Sequence, residues 1–341
     1  VNECDSPGAV CTAAYNVCSN TAGSWECACA GGYTGLSIIG GNTTCEPGLG
    51  GECTSDSQCP ADTWCSTVAG YRRCAPRVFE GEAHQMDFAF VPAGTFLQGT
   101  PGGTGRERPY TATISRNYFV SRTEVTQGQW KAATAGVNPS FNPLSDNLPV
   151  EQVDWYSTLA YANWLSVNEG LSACYTFTGC SDVTGGWQDG AHSGCTGATF
   201  TGLDCTGYRL LAETEWERAA RGGTTSSYFW GESTATVTVS LYAWYDENGG
   251  RSQPVGGLQQ NIYGLHDVSG NVWEWVWDRY ALGYVSGSAT DYLGPSAGSA
   301  RVFRGGSFSD QPINLRSAFR PERDPTLAAG SIGFRLARTA Y

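Results

Sequence analysis

The stretch NIYGLHDVSGNVWEWVWD, residues 261–278, places Trp273, Trp275 and Trp277 directly behind a glycine, Gly270, that permits a tight turn. Aromatic rings serve in cores, on sugar-binding faces and at protein interfaces. The run from Trp273 to Trp277 is read here as core. A second stretch lies a little further on, RVFRGGSFSDQPINLRSAFRPERDP at 301–325. It frames a loop with Gly305-Gly306, Phe308 and a row of arginines, yet it holds no Cys, His or Lys. The segment has the form of an active-site frame without the reactive atoms.

The chain around these stretches has 341 residues, 40% hydrophobic and 15% charged, with a net charge of −12. That size and balance suit two or three folded units. The cations are nineteen arginines and a single lysine, with no basic run. Nucleic acid is therefore excluded as the expected partner, because phosphate binding needs a basic stripe. No apolar run approaches the ~20 residues of a membrane helix, and a leader ahead of Val1 is taken to have been removed.

Fourteen cysteines fall in two blocks, ten within 4–74 and four within 174–205. Even numbers without any CxxC spacing read as disulfides formed in an oxidising compartment, so a secreted or cell-surface location is expected. The first six, Cys4, Cys11, Cys18, Cys27, Cys29 and Cys45, sit in a segment too short to fold on its own core. Spacing alone leaves their pairing open. The segment NECDSPGAVCTAAYNVCSNTAGSWECACAGGYTG resembles a calcium-binding EGF-like domain. That resemblance implies Cys4–Cys18, Cys11–Cys27 and Cys29–Cys45, and calcium held by the side chains of Glu3 and Asn20 and the carbonyls of Val1, Thr21 and Ser24. Oxygen ligands suit a hard cation. Without the metal, Glu3 and Asn20 would serve only in turns.

Residues 46–78 carry Cys53, Cys59, Cys65 and Cys74 and read as a stiff, cystine-stapled spacer whose pairing spacing cannot decide. The expected division is thus 1–45, 46–78 and 79–341. From Met86 onward, strand-like alternation gives way to helical signals and long loops. Two Thr-x-x-Glu/Gln patterns, Thr126–Gln129 and Thr214–Glu217, predict capped helix starts. The second helix should stop at Gly222-Gly223. Between them, Tyr156, Leu159, Ala160 and Trp164 predict one apolar helix stripe.

Seven segments of this third unit, among them FVPAGTFLQGT, YRLLAETEWERAARGG, NIYGLHDVSGNVWEWVWD, RVFRGGSFSD and GFRLAR, occur in order. Together they resemble the formylglycine-generating enzyme, or sulfatase-modifying factor, family over about 86–338. The resemblance implies an α+β, C-type-lectin-like fold with little regular secondary structure. It also implies oxidation of a substrate cysteine through two cysteines that hold copper. Soft thiolates are the ligands Cu(I) requires. Here Asp310 stands at the first cysteine position and nothing better than Leu315 at the second, so no copper is expected. Cys174, Cys180, Cys195 and Cys205 read as two disulfides and not as stand-in thiols. His84, His192 and His266 do not support the three-histidine iron site of the related sulfoxide synthases. Asp310, Arg316 and Arg320 read as a structural carboxylate–guanidinium network in preference to an acid–base site.

A family calcium site does map onto the opening stretch, at Asp267, the carbonyls of Gly270 and Val272, and Glu274; the other reading of the same residues is a turn in which Asp267 caps backbone amides. The family's other calcium site is not traceable. The expected role is non-catalytic extracellular recognition or adhesion, with an extracellular protein or glycan as partner. A self-associating subunit of a filament or surface layer is the alternative, and an oxygen-dependent oxidase is the third reading.

Overall fold

The computed structural model describes residues 85–180 and 195–340 in full, together with Cys59, Cys74 and the strand positions of the N-terminal region. The chain divides into two compact units, Val1–Val78 with Ala340–Tyr341, and Phe79–Thr339.

The N-terminal unit contains antiparallel pairs. Asn16–Thr21 pairs with Ser24–Cys29, Tyr33–Ile39 with Asn42–Pro47, and Thr63–Val68 with Tyr71–Val78. Cys59 is bonded to Cys74. The expected EGF-type pairings, and the state of Cys53 and Cys65, lie outside the described residues.

In the C-terminal unit four strands pair antiparallel in the spatial order Arg209–Leu210, Leu336–Thr339, Tyr118–Ser121 and Met86–Val91. A second sheet runs Glu322–Arg323, Arg301–Arg304, Trp273–Arg279, Ile332–Phe334, and its last pair is parallel. The chain leaves this sheet after Phe334 and enters the first at Leu336, so Arg335 alone bridges the two. Smaller sheets are formed by Ser288–Thr290 with Tyr110–Ile114 and Gly94–Gln98, and by Tyr175–Thr178 with Gly197–Phe200.

The tryptophan run is core, as the sequence predicts. Trp273–Arg279 is an inner strand, and its residues from Trp273 to Val276 are buried on both faces. This is the pattern of a strand covered on each side. The indole of Trp275 donates to the Val153 carbonyl at 3.1 Å, and Trp277 stacks on Tyr175.

Helix α1, Gln127–Ala133, starts at the predicted box: Gln129 N–H donates to Thr126 Oγ1 at 3.2 Å and Thr126 N–H to Gln129 Oε1 at 2.8 Å. Helix α2, Trp155–Asn168, is capped by Asp154, which accepts from Ser157 N–H at 2.7 Å. Its predicted stripe is only part of what it buries. Tyr161, Ala162, Leu165 and the hydroxyl residues Ser157, Thr158 and Ser166 are buried as well, because the helix is enclosed on several sides, while Trp164 is half-exposed.

The second predicted box is displaced. Helix α3 runs Glu213–Arg221 from Ala212, whose N–H donates to Glu215 Oε2 at 2.9 Å. Thr214 lies inside the first turn and its hydroxyl bonds Tyr110 OH. The predicted stop holds, with Gly222 at φ +56°. A short helix α4, Thr236–Val239, was not legible.

The disulfides of the insertion are Cys174–Cys205 and Cys180–Cys195, and no cysteine is free among the described residues. Among those residues no helix is long and apolar enough to cross a membrane.

Replacing Thr126 by Ala should cost about 1 kcal/mol of unfolding free energy, because both halves of the box are lost or loosened. A urea titration checks this, and an unchanged midpoint would show that α1 does not depend on its cap.

Candidate functional site

The 301–325 segment is held by backbone geometry first. Gly305 and Gly306 have φ of +100° and +82°, and a β-carbon on Gly306 would lie 2.3 Å from Leu315 Cδ2. Their carbonyl and neighbours tie to the opening stretch: Gly270 N–H donates to Gly305 O at 2.9 Å and Phe308 N–H to Asn271 O at 2.8 Å.

The two positions where the family's thiols would stand have structural duties. Asp310 Oδ2 accepts from Ser307 Oγ at 2.5 Å and Ser307 N–H at 3.1 Å, and Oδ1 accepts from Asn314 at 3.0 Å. Leu315 is fully buried in an apolar cluster with Tyr228, Val239, Ala243 and Tyr245. A carboxylate closing a turn and an isobutyl group in a core supply neither a thiolate nor any other soft ligand.

The expected arginine network exists, but Asp310 is not its carboxylate. Arg316 makes a two-pronged pair with Glu107, at 2.5 and 2.8 Å. Arg320 does the same with Glu213, at 2.6 and 2.7 Å. The acidic partners come mostly from α3. Besides Glu213, Glu215 pairs with Arg209, and Glu217 takes both Arg304 at 2.6 Å and Arg221 at 2.9 Å. These groups are buried, where geometry must be good for the pairing to offset desolvation. Burial opposes ionisation of Glu213, yet the Arg320 guanidinium holds its carboxyl below the usual glutamate range.

The residues of the mapped calcium cage are close in the chain, and both of its side chains have partners within the protein. Glu274 accepts from Arg335 at both oxygens, each at 2.7 Å, and from the Trp216 indole at 2.6 Å. Gly270 and Val272 turn beside it, and Asp267 Oδ2 accepts from Gly256 N–H at 2.7 Å. Asp267 Oδ1 is buried with no partner. No three of His, Cys, Asp and Glu come together as a metal site among the described residues. Both Glu274 oxygens are thus shared with arginine, and Asp267 Oδ1 is the carboxyl oxygen of the mapped set left over.

Sequence reasoning missed Glu124. It is fully buried, both its carboxyl oxygens lack hydrogen-bond partners among the described residues, and burial followed by the neighbouring Asp267 drives its carboxyl well above the usual range. Asp267 itself is pushed up to about 6, chiefly by burial. Only the placement of Glu124 between a strand and α1 hinted at burial.

His266 lines a cavity of about 290 Å³ with Arg122, Asp87 and Gln129, but its Nδ1 is engaged by the Leu258 carbonyl at 2.8 Å. Burial lowers its pKa, leaving it neutral. His84 and His192 lie outside the described residues. Of the N-terminal residues expected to hold calcium, Thr21 and Ser24 pair across their hairpin and Asn20 pairs in register with Trp25, while Val1 and Glu3 lie outside the described residues.

The profile of the sulfatase-modifying factor enzyme 1-like domain matches residues 75–340. The chain belongs to that family. A calcium-binding EGF domain profile matches residues 1–45 ahead of it. The sulfatase-modifying-factor-like unit resembles the formylglycine-generating enzyme of Streptomyces coelicolor, with 32% identity over 278 residues, covering 73% of this chain and 88% of that protein. It also resembles the mouse protein named inactive C-alpha-formylglycine-generating enzyme 2, at 27% identity, covering 78% of this chain and 90% of that one. Among solved structures, Treponema denticola variable protein 1 superposes with a TM-score of 0.68 at 30% identity, over 77% of this chain and 98% of that one. The mixed fold, mostly short strands and loops, is therefore that of the family.

Two outcomes check the site. Glu274→Gln should cost about 3–5 kcal/mol by leaving Arg335 buried without its anion, and by the same amount in excess calcium and in chelator. A loss confined to the calcium arm would restore Glu274 as a metal ligand. Glu107 is held below the ordinary glutamate range, burial being outweighed by Arg316 and Thr100. A depressed carboxylate contributes stability above its unfolded pKa and loses it as pH falls through its folded value. Glu107→Gln should flatten that part of the acid limb in chemical denaturation, and an unaltered limb would dissociate Glu107 from acid sensitivity.

Proposed function

We propose that this protein is a secreted, non-catalytic member of the sulfatase-modifying factor family that acts in extracellular recognition or adhesion. The observation that carries this reading is the use of the thiol positions: Asp310 closes a turn and Leu315 fills a core. Oxidation of a cysteine by the family's route needs a thiolate pair to hold Cu(I), and the four cysteines described in the C-terminal unit are all in disulfides. The family frame then remains as rigid loop architecture, which suits presentation of a binding surface.

Relatives support the same direction. The mouse protein bears the word inactive in its name, and the Treponema protein is named as variable. The EGF-like match and the disulfides favour an oxidising, extracellular setting, with calcium held in the N-terminal domain. Partners on this reading are an extracellular protein or glycan.

Light scattering and electron micrographs of the native chain, with calcium and after chelation, test the proposal. Dispersed particles in both conditions are expected. Ordered polymers that dissolve on chelation would instead make the chain a calcium-stiffened building block and overturn the recognition reading.

A further inference from the structure

Among the described residues an arginine repeatedly stands between a carboxylate and an aromatic ring. Arg320 lies between Glu213 and Tyr284, 4.4 Å from the ring centroid. Arg304 lies between Glu217 and Trp216 at 5.0 Å, and Arg316 between Glu107 and Phe319 at 5.6 Å. The planar guanidinium satisfies both neighbours at once, by paired hydrogen bonds and by stacking.

One surface has the rings and the carboxylates without the arginine. Trp230 lies parallel to Tyr228 at 4.7 Å and to Tyr242 at 5.2 Å, and Phe229 meets Trp230 and Tyr242 edge-on. Phe229, Trp230 and Tyr242 are half-exposed. The ladder is rigid, because Trp230 packs on the Leu315 cluster beneath and Tyr228 OH donates to Pro312 O at 2.8 Å. Within a few residues of these rings in the chain are the exposed Glu232, Asp246 and Glu247. The Ser227 N–H fixes Glu232 at 2.8 Å, Thr236 fixes Glu247 at 2.6 Å, and Asp246 N–H joins the Asp310 carbonyl. None of these three carboxylates has an ion pair among the described residues. Hydrogen bonding to Ser227 keeps Glu232 ionised. Val237, Leu241 and Ile313, exposed by 77%, 47% and 57%, extend the apolar surface beyond the rings.

We propose that this face, Phe229, Trp230 and Tyr242 edged by Glu232, Asp246 and Glu247, binds an arginine-bearing extended segment of a partner protein. The partner's guanidinium stacks against the ladder while a fringe carboxylate takes its hydrogen bonds, completing outside the arrangement that the protein builds repeatedly within. This rests on the recognition reading and names the chemistry that the surface recognises.

The test uses the full chain and a fluorescein-labelled peptide of alternating arginine and glycine, read by anisotropy at physiological salt. The lysine counterpart should bind several-fold more weakly, because an ammonium cannot stack as a plane. Trp230→Ala should weaken the arginine peptide about fivefold or more. Glu232→Gln, a surface change whose folding is verified by an unchanged melting curve, should weaken it as well. Asp204→Asn removes the same charge at another exposed position and should leave binding unaltered. Equal losses in Glu232→Gln and Asp204→Asn would reduce the effect to net charge and overturn the proposal, as would no binding. A glycan array separates this from the wider reading. Glycan binding lost in Trp230→Ala would keep recognition and overturn the arginine partner, whereas silence in every arm from a polymerising chain would overturn both.

Discussion

Arg335 is the residue on which the C-terminal unit depends. It sits at the single position between the last strand of one sheet and the last strand of the other. Its guanidinium takes both oxygens of Glu274 and also reaches the carbonyls of Ser121, Arg122 and His266. A fold with short strands and long loops has few ladder hydrogen bonds to define loop positions. Buried guanidiniums, each with several donors in one plane, supply that definition instead. Helix α3 repeats the device: three of its glutamates, Glu213, Glu215 and Glu217, each hold an arginine from elsewhere in the chain. The cost is that removing either partner leaves a buried charge unmatched.

This explains how the frame persists with other residues at the thiol positions. Arg304 reaches Glu217 and three carbonyls between Ser317 and Phe319, and Arg316 and Arg320 reach Glu107 and Glu213. None of these contacts involves Asp310 or Leu315. The thiol positions are thus free to become a turn and a core contact while the surrounding loop keeps its course. The same rigidity beneath the loop steadies the aromatic ladder at 228–242, so that architecture and the proposed recognition surface share one support.

What was legible in the sequence was mostly local. The Thr126 box and the Gly222 stop involve neighbours within a few residues, and the tryptophan run announces its own burial. The Thr214 box failed because Glu215 reached back to Ala212 and started the helix two residues earlier than Thr214 allows. Ion-pair partners were not legible: Glu107 and Arg316 are 209 residues apart, and Glu213 and Arg320 are 107 apart. That arginines would tie the loops was foreseeable from their number, but Asp310 was chosen for its proximity in sequence. Glu274 was assigned to calcium through resemblance, and only the position of Arg335 in space shows where its carboxylate goes. Glu124 gave no signal beyond its place in a buried strand-to-helix connection.

The central claim is that the family frame survives here without a copper-holding thiol pair. Mass spectrometry of a cysteine-containing peptide, incubated with the native chain, Cu(I) and oxygen, tests it most directly. The account predicts that the peptide's cysteine is recovered unchanged, as in a protein-free control. Conversion of that cysteine to formylglycine above the control would contradict it and make this protein an oxidase that uses ligands other than the family's two thiols.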